Sequence, residues 1–253
     1  MLGHGIIEAE VNPMKKTEGI KILNCERAGS VYHPSVIYDE TNVLLIDTGL
    51  PGQVDQLDSQ LKKCGLSLAQ VTAILITHHD MDHMGSLKEI KTLYPTIEVF
   101  AHREEIAYIE GSLSPLKVMD VESGRMKLQA DQQAWFDHLK SDFPALVVPV
   151  DSVLEDHDVL EIAGGVEVLW TPGHTLGHVS LYHAGSKTMI TGDALNLKDG
   201  ILSGPNLRFT HDINQALASV RKMAQYNISR LFIYHGGVLE KDHLEEQLKR
   251  YAG

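Results

Sequence analysis

Short apolar runs separated by turn residues set the rhythm of this chain. Ile20 to Asn24, Ser30 to Tyr38 and Val43 to Asp47 read as three strands, the last two joined by a tight turn through Asp39-Glu40-Thr41-Asn42. Gln53 to Lys63 has helical character and stops at Gly65. Val71 to Thr77 is a nearly unbroken apolar run, β-branched at several positions, which predicts a strand buried on both faces. Leu87, Ile90 and Leu93 then repeat at helical spacing within Ser86 to Tyr94, and Pro95 closes that helix. Ile97 to Ala101 is a further short strand.

From His102 to about Pro149 the pattern loosens. Glu104 to Glu110 and Gln129 to Leu139 read as helices, with an irregular stretch between them. Tyr108, Leu113, Met119, Trp135 and Phe136 supply apolar surface there, either for a lid over a pocket or for one face of a sheet. Strands return at Val159 to Ile162, Val166 to Trp170, His178 to His183 and Lys187 to Thr191, with turns at Gly164-Gly165 and Ala184-Gly185-Ser186. A helix from about Asn214 to Tyr226 leads to a strand at Leu231 to Tyr234, and Glu240 to Tyr251 is a charged terminal helix. This order predicts an α+β fold of two packed sheets with helices outside.

Composition narrows the classes. The 253 residues, 43% hydrophobic and 22% charged, suffice for one large core. A formal charge of −12 with no basic run argues against a nucleic-acid or anionic-membrane partner. No stretch reaches the roughly 20 apolar residues that span a bilayer. The two cysteines, Cys25 and Cys64, are too few for a disulfide framework, fit a reducing cytoplasm and read as structural. Met14-Lys15-Lys16 offers an alternative start, which makes residues 14–253 the domain and 1–13 an extension or leader.

The chemistry gathers where strands end. Val71 to Thr77 runs into His78-His79-Asp80-Met81-Asp82-His83. If that segment stays extended, alternation puts His78, Asp80 and Asp82 on one side and His79 and Met81 on the other, with His83 arriving at the bend. Three further strands end in Gly173-His174, Gly192-Asp193 and His235-Gly236. Imidazole and carboxylate donors of this kind suit divalent cations, and the adjacent glycines let backbone approach closely.

Taken together, these residues resemble the metallo-β-lactamase superfamily, whose hallmark is an H-x-H-x-D-H cluster after a strand, then a lone His, an Asp and a final His. The resemblance spans nearly the whole chain from Ile20 onward. It implies a four-layer αβ/βα sandwich with a two-metal site at the common edge of the sheets. It further implies that His78, Asp80 and His174 hold one metal, that Asp82, His83 and His235 hold the other, and that Asp193 bridges them. Asp47, in Leu45-Ile46-Asp47-Thr48-Gly49, matches the family's ligand-orienting acid, and Thr77 lies beside the first ligand. One position departs from the pattern. Asp80 stands where the family has its second His, and His79 is an alternative that strand alternation points away. Zinc is the first expectation, and the added carboxylate, which makes a harder donor set, shifts preference toward iron or manganese as the alternatives.

The activity implied is hydrolysis of a small ester, lactone, thioester or phosphoester by a hydroxide held between two divalent ions, with Asp82 passing a proton to the leaving group. A metal-dependent redox enzyme of the sulfur dioxygenase or diiron type, suggested by Asp80, and a non-catalytic metal-binding protein are the other classes. Asp193 speaks against β-lactamase activity, because true β-lactamases lack the bridging acid. Ala194-Leu195-Asn196 replaces the tyrosine that lactone-cleaving quorum enzymes carry after it, and Glu240 to Tyr251 is too short for the C-terminal domain of glyoxalase II. The partner expected is a small molecule, and the oligomeric state is left open. His102, His183 and His211 read as surface residues.

Overall fold

The computed structural model describes residues 18–251, so the extension expected at 1–13 lies outside the described residues. Two six-stranded sheets form the frame among them. In the first, Gly19–Ile22, Ser35–Tyr38, Val43–Ile46, Ala73–Ile76, Glu98–His102 and Ser152–Leu154 lie side by side in that order. The first two pairings are antiparallel and the rest parallel. In the second the order is Gly237–Glu240, Arg230–Ile233, Thr188–Ile190, Val179–His183, Val166–Trp170 and Val159–Leu160, with one parallel pairing, between Thr188–Ile190 and Arg230–Ile233.

The reason for the unbroken apolar runs is visible in where successive side chains go. Leu44, Ile46 and Leu75 pack with Val166, Val168, Val179, Leu181, Ile190 and Phe232 between the two sheets. Their neighbours Val43, Leu45, Ile74 and Ile76 face the opposite way, onto Leu57 and Leu61 of helix Val54–Lys63 and Leu87 and Ile90 of helix Leu87–Leu93. Strands covered on both faces have no solvent side on which to carry polar residues. The second sheet is covered by helix Ile213–Met223, through Val220 and Met223, and by helix Lys241–Lys249, through Leu244 and Leu248. The layers are therefore helix, sheet, sheet, helix. Among the described residues, no helix is long and apolar enough to cross a membrane.

Several elements differ from the sequence pattern. Ser30 to Tyr38 is two strands. Ser30–Tyr32 pairs with Cys25–Arg27, and the chain turns before Ser35–Tyr38 at Pro34, which has no N–H to continue a ladder. The stretch expected to be irregular holds helix Leu116–Glu122, only seven residues long and too short to show a period. The apolar set proposed as a lid divides: Tyr108 and Phe136 are buried, Leu113 and Met119 are exposed, and Trp135 lines the cleft described below. Asn196–Lys198 and Ile201–Ser203 form a small hairpin across the turn Asp199-Gly200. His102 is not a surface residue. It is buried, stacks on Trp170 with ring planes 5° apart, and caps helix Arg103–Ile109. His183 is half-buried, with Nε2 2.7 Å from the Ala163 carbonyl. Cys25 and Cys64 are both free thiols.

Candidate metal centre

The strands deliver their ends to one edge of the sandwich, where ligands of open α/β sheets collect. Val179 N–H donates to the Thr77 carbonyl (3.1 Å) and His33 N–H to the Tyr234 carbonyl (3.1 Å), tying the two sheets together there. After Ile76 the backbone bends at Thr77 and His78, is extended at Asp80 (φ −64°, ψ 145°), then makes one helical turn, Met81–Met84. That turn breaks the alternation expected of an extended segment. Asp82 leaves the side shared by His78 and Asp80 and joins His83 instead.

Two groups of side chains result. His78, Asp80, His174 and Asp193 present donor atoms within 4.8 Å of one another, and Asp82, His83 and His235 do the same. In the first, Asp80 Oδ2 lies 3.2 Å from His78 Nε2 and 3.0 Å from His174 Nε2. In the second, His235 Nε2 lies 3.3 Å from Asp82 Oδ2. Asp193 stands between them, with Oδ2 3.5 Å from His174 Nε2 and Oδ1 3.2 Å from His83 Nε2 and 3.3 Å from His235 Nε2. Gly173, at φ +129°, brings His174 in: a Cβ there would lie 2.1 Å from the Ala216 nitrogen.

The rings are aimed from behind. Asp47, itself in the left-handed region at φ 61°, is buried and accepts from Thr77 N–H (2.8 Å) and from His83 Nδ1 (2.8 Å). Thr77 Oγ1 donates to Asp47 and lies 3.1 Å from His78 Nδ1. Both histidines thus carry a proton on Nδ1 and turn Nε2 into the cluster. His178, not singled out in the sequence, does similar work for Asp193. Its buried Nε2 accepts from the Asp193 N–H at 2.9 Å, while Nδ1 faces the Thr171 carbonyl at 3.1 Å. Burial, aided by His174, lowers the His178 pKa to about 3, which keeps it neutral. Its position four residues after His174 was the available signal.

His79 faces away from both groups. Its Nδ1 donates to buried Glu105, its Nε2 accepts the Leu116 N–H at 3.1 Å, and its ring stacks on Tyr108. Glu105 also accepts from His79 N–H (2.9 Å), Thr175 Oγ1 (2.6 Å) and Gly177 N–H (2.8 Å). It therefore fastens the loop carrying Asp80 to the loop carrying His174. Lys117 is the other unforeseen residue. It is 6% exposed, and its ammonium contacts Asp80 Oδ2 and lies 3.2 Å from His174 Nε2.

Three buried ligand-type atoms, His78 Nε2, His83 Nε2 and Asp193 Oδ1, have no hydrogen-bond partner. Such orphans are costly unless an ion meets them. An imidazole and carboxylate donor set suits first-row divalent cations, so the residues present fit a metal. Burial lowers the His83 pKa, but Asp193, Asp47 and Asp82 outweigh it and push it up to about 10. Burial raises Asp193, yet His235 and His83 hold it well below the usual carboxylate range. A cleft of about 280 Å³ opens over the cluster, walled by Tyr32, Trp135, Leu139 and Phe209 and floored by Asp80, Asp82 and His235. His211 sits beside it, its backbone N–H donating to the His174 carbonyl (3.2 Å) and Nδ1 2.7 Å from Asp120.

Known proteins resemble this chain in sequence and fold. The model of the family described as the metallo-beta-lactamase superfamily matches residues 30–235. The probable metallo-hydrolase YflN of Bacillus subtilis is 28% identical over 221 residues, covering 82% of this chain and 80% of its own. Hydroxyacylglutathione hydrolase GloC of Haemophilus influenzae is 26% identical over 159 residues, 62% of this chain and 63% of its own. Among solved structures, the family protein TTHA1429 of Thermus thermophilus superposes with a TM-score of 0.69 at 23% identity, covering 92% of this chain and 78% of its own. TTHA1623, solved in a di-iron-bound form, does so at 0.61 and 21%, covering 88% and 96%.

Proposed function

This chain belongs to the metallo-beta-lactamase superfamily, and from that premise we propose that it is a metal-dependent hydrolase of a small ester, lactone, thioester or phosphoester. The observation that carries the reading is the placement of Asp193, whose two carboxylate oxygens face the two His/Asp groups on either side of it. Its relatives named metallo-hydrolase and hydroxyacylglutathione hydrolase support the reaction class. His78, Asp80 and His174 would hold one divalent ion, Asp82, His83 and His235 the other, with Asp193 between. Zinc is the first choice, and iron or manganese the alternatives favoured by the third carboxylate. Bound there, the ions would supply a Lewis acid and a water acidified toward neutrality.

The chain's own residues do the rest. Asp47 and Thr77 keep His83 and His78 aimed. Asp82, a quarter exposed at the cleft floor, is placed to carry a proton to the leaving group. Trp135, Leu139 and Phe209 bind an apolar portion of the substrate and exclude water, while Asn196 and Asn206 offer amides at the rim. We read residues 14–253 as one domain, the helices of 102–150 as an insertion that walls the cleft, and the cytoplasm as the place of action on a small molecule rather than a nucleic acid or membrane.

Metal analysis of the purified protein, with turnover measured over esters, lactones, thioesters and phosphodiesters, tests this. Metal-dependent hydrolysis of one class is expected. A metal-free protein, or a loaded one inert toward every class, would overturn it. The carboxylate of Asp80 in the cluster favours a second reading, a diiron-type redox enzyme, which predicts iron-dependent oxygen uptake in place of hydrolysis.

A further inference from the structure

The two halves of the cluster are not equivalent. Among the described residues, the ion pairs of Asp82 and Asp193 are all with histidines. Partnerless ligand atoms occur in both halves, His83 Nε2 and the facing Asp193 Oδ1 in the Asp82–His83–His235 half and His78 Nε2 in the other. What sets the His78–Asp80–His174 half apart is a lysine side chain among its ligand atoms. Lys117 projects from helix Leu116–Glu122 so that its ammonium contacts Asp80 Oδ2 and stands 3.2 Å from His174 Nε2. These are two of the atoms an ion would use there. The ammonium lies over the Phe209 ring, 5.9 Å from its centroid.

The lysine is held in that place. Its helix begins where Leu116 N–H donates to His79 Nε2, and His79 is fixed in turn by Glu105. Its side chain is 7% exposed, so water offers little alternative solvation. Asp80 occupies the position at which the superfamily pattern has a histidine. A neutral imidazole there would give a buried ammonium nothing to pair with, whereas a carboxylate gives it a full partner. The aspartate and the lysine therefore make sense as a pair. One divalent ion together with the Lys117 ammonium balances the carboxylates of Asp80, Asp82 and Asp193.

We propose that Lys117 stands in for a cation at the His78–Asp80–His174 position, so that this chain holds one divalent ion firmly at Asp82–His83–His235 and a second only weakly. The inference rests on the reading of the cluster as a metal centre and adds an order of filling to it. For the second ion to enter, Lys117 must swing out of its contacts with Asp80 and His174 toward the cleft. Lys117 is a positioning residue, acting through Asp80 and His174.

The test equilibrates the full-length, metal-bearing protein against zinc buffered over a series of free concentrations and measures bound zinc by mass spectrometry. Wild type should retain one equivalent throughout and take up the second only at on the order of a hundredfold more free zinc, because two positive charges a few ångströms apart repel even when well screened. In Lys117→Met the two steps should draw together, and Lys117→Gln should repeat this with a polar side chain. His235→Ala should lose the firm step and keep the weak one. Wild type holding two equivalents in a single tight step overturns the inference whatever the variants do. So does an unchanged separation of steps in both Lys117 variants. A protein that binds no metal at any concentration overturns the metal-centre reading as well.

Discussion

Replacing Glu105 by alanine should be among the most disruptive single changes outside the cluster itself. The carboxylate is fully buried and accepts from His79 N–H, His79 Nδ1–H, Thr175 Oγ1 and Gly177 N–H. Burial raises its pKa, but His79 and these donors outweigh that and lower it, so the group is a charged hub at neutral pH. Alanine strands several buried donors, each worth about 1–3 kcal/mol when unsatisfied. Partial relaxation leaves a net cost of about 4 kcal/mol, within the range for breaking a buried ionic contact. For a chain of this size that is roughly 8–16 °C in Tm. Glu105→Gln should cost about half as much. Its NH2 must face either the His79 pair or the Thr175–Gly177 pair, and His79 cannot adapt by moving its proton, because Nε2 is needed by the Leu116 N–H. Urea unfolding monitored by tryptophan fluorescence gives the stability, and metal content at free zinc high enough to fill both halves gives the local effect, which should fall on the His78–Asp80–His174 half. A loss under about 1 kcal/mol for Glu105→Ala, with metal content intact, would refute the claim that Glu105 joins the two loops.

Three further outcomes follow from the same geometry. Asp193→Ala removes the oxygens facing both groups, so bound metal should fall by at least one equivalent with a lower Tm, checked by mass spectrometry and calorimetry. Unchanged stoichiometry would exclude the assignment. His83, with its pKa pushed up to about 10 in the metal-free cluster, must lose a proton before Nε2 can coordinate. Burial lowers the His235 pKa as well, but Asp193 and Asp82 outweigh it and raise it well above its ordinary value, so metal uptake at neutral pH should release protons and weaken by at least tenfold per unit as pH falls, measured by calorimetry in buffers of differing ionisation enthalpy. Asp39 accepts from Thr41 N–H and Asn42 N–H (both 2.8 Å) and from Ala163 N–H across the sandwich (3.1 Å). Burial raises its carboxyl, but these donors bring it down to about 2, below its ordinary 3.8. A depressed acid stabilises the fold above its unfolded pKa and loses that contribution as pH falls through the folded one. Asp39→Ala should then cost about 1 kcal/mol at neutral pH, after discounting for solvent screening, and only a small part of that near pH 2. Urea midpoints at both pH values check this.

The parts of this molecule that could be read in advance are those where one residue suffices to state its own environment. Ile74, Leu75 and Ile76 are apolar on consecutive positions because both faces of their strand are covered, and a histidine or aspartate after such a strand needs only the strand to place it at the sheet edge. The convergence of His174, Asp193 and His235 was legible because each follows a strand and sits next to a glycine. What could not be read is pairwise. The helical turn Met81–Met84 moves Asp82 to the second group; strand alternation put it beside His78 and Asp80, and only the family resemblance paired it with His83 and His235. Lys117 looks like any solvent-facing lysine on a short helix until Asp80, 37 residues earlier, is seen against it. Glu105 lies in the first turn of helix Arg103–Ile109, where acids are common for dipole reasons alone, and its four donors come from the loops at His79 and at Thr175 to Gly177. His178 reads as the start of a strand, and only the Asp193 N–H at its Nε2 makes it part of the centre. In each case the missing information was the partner. The residues that hold this centre in shape therefore had to be found in space, although the donors themselves announce their chemistry in one dimension.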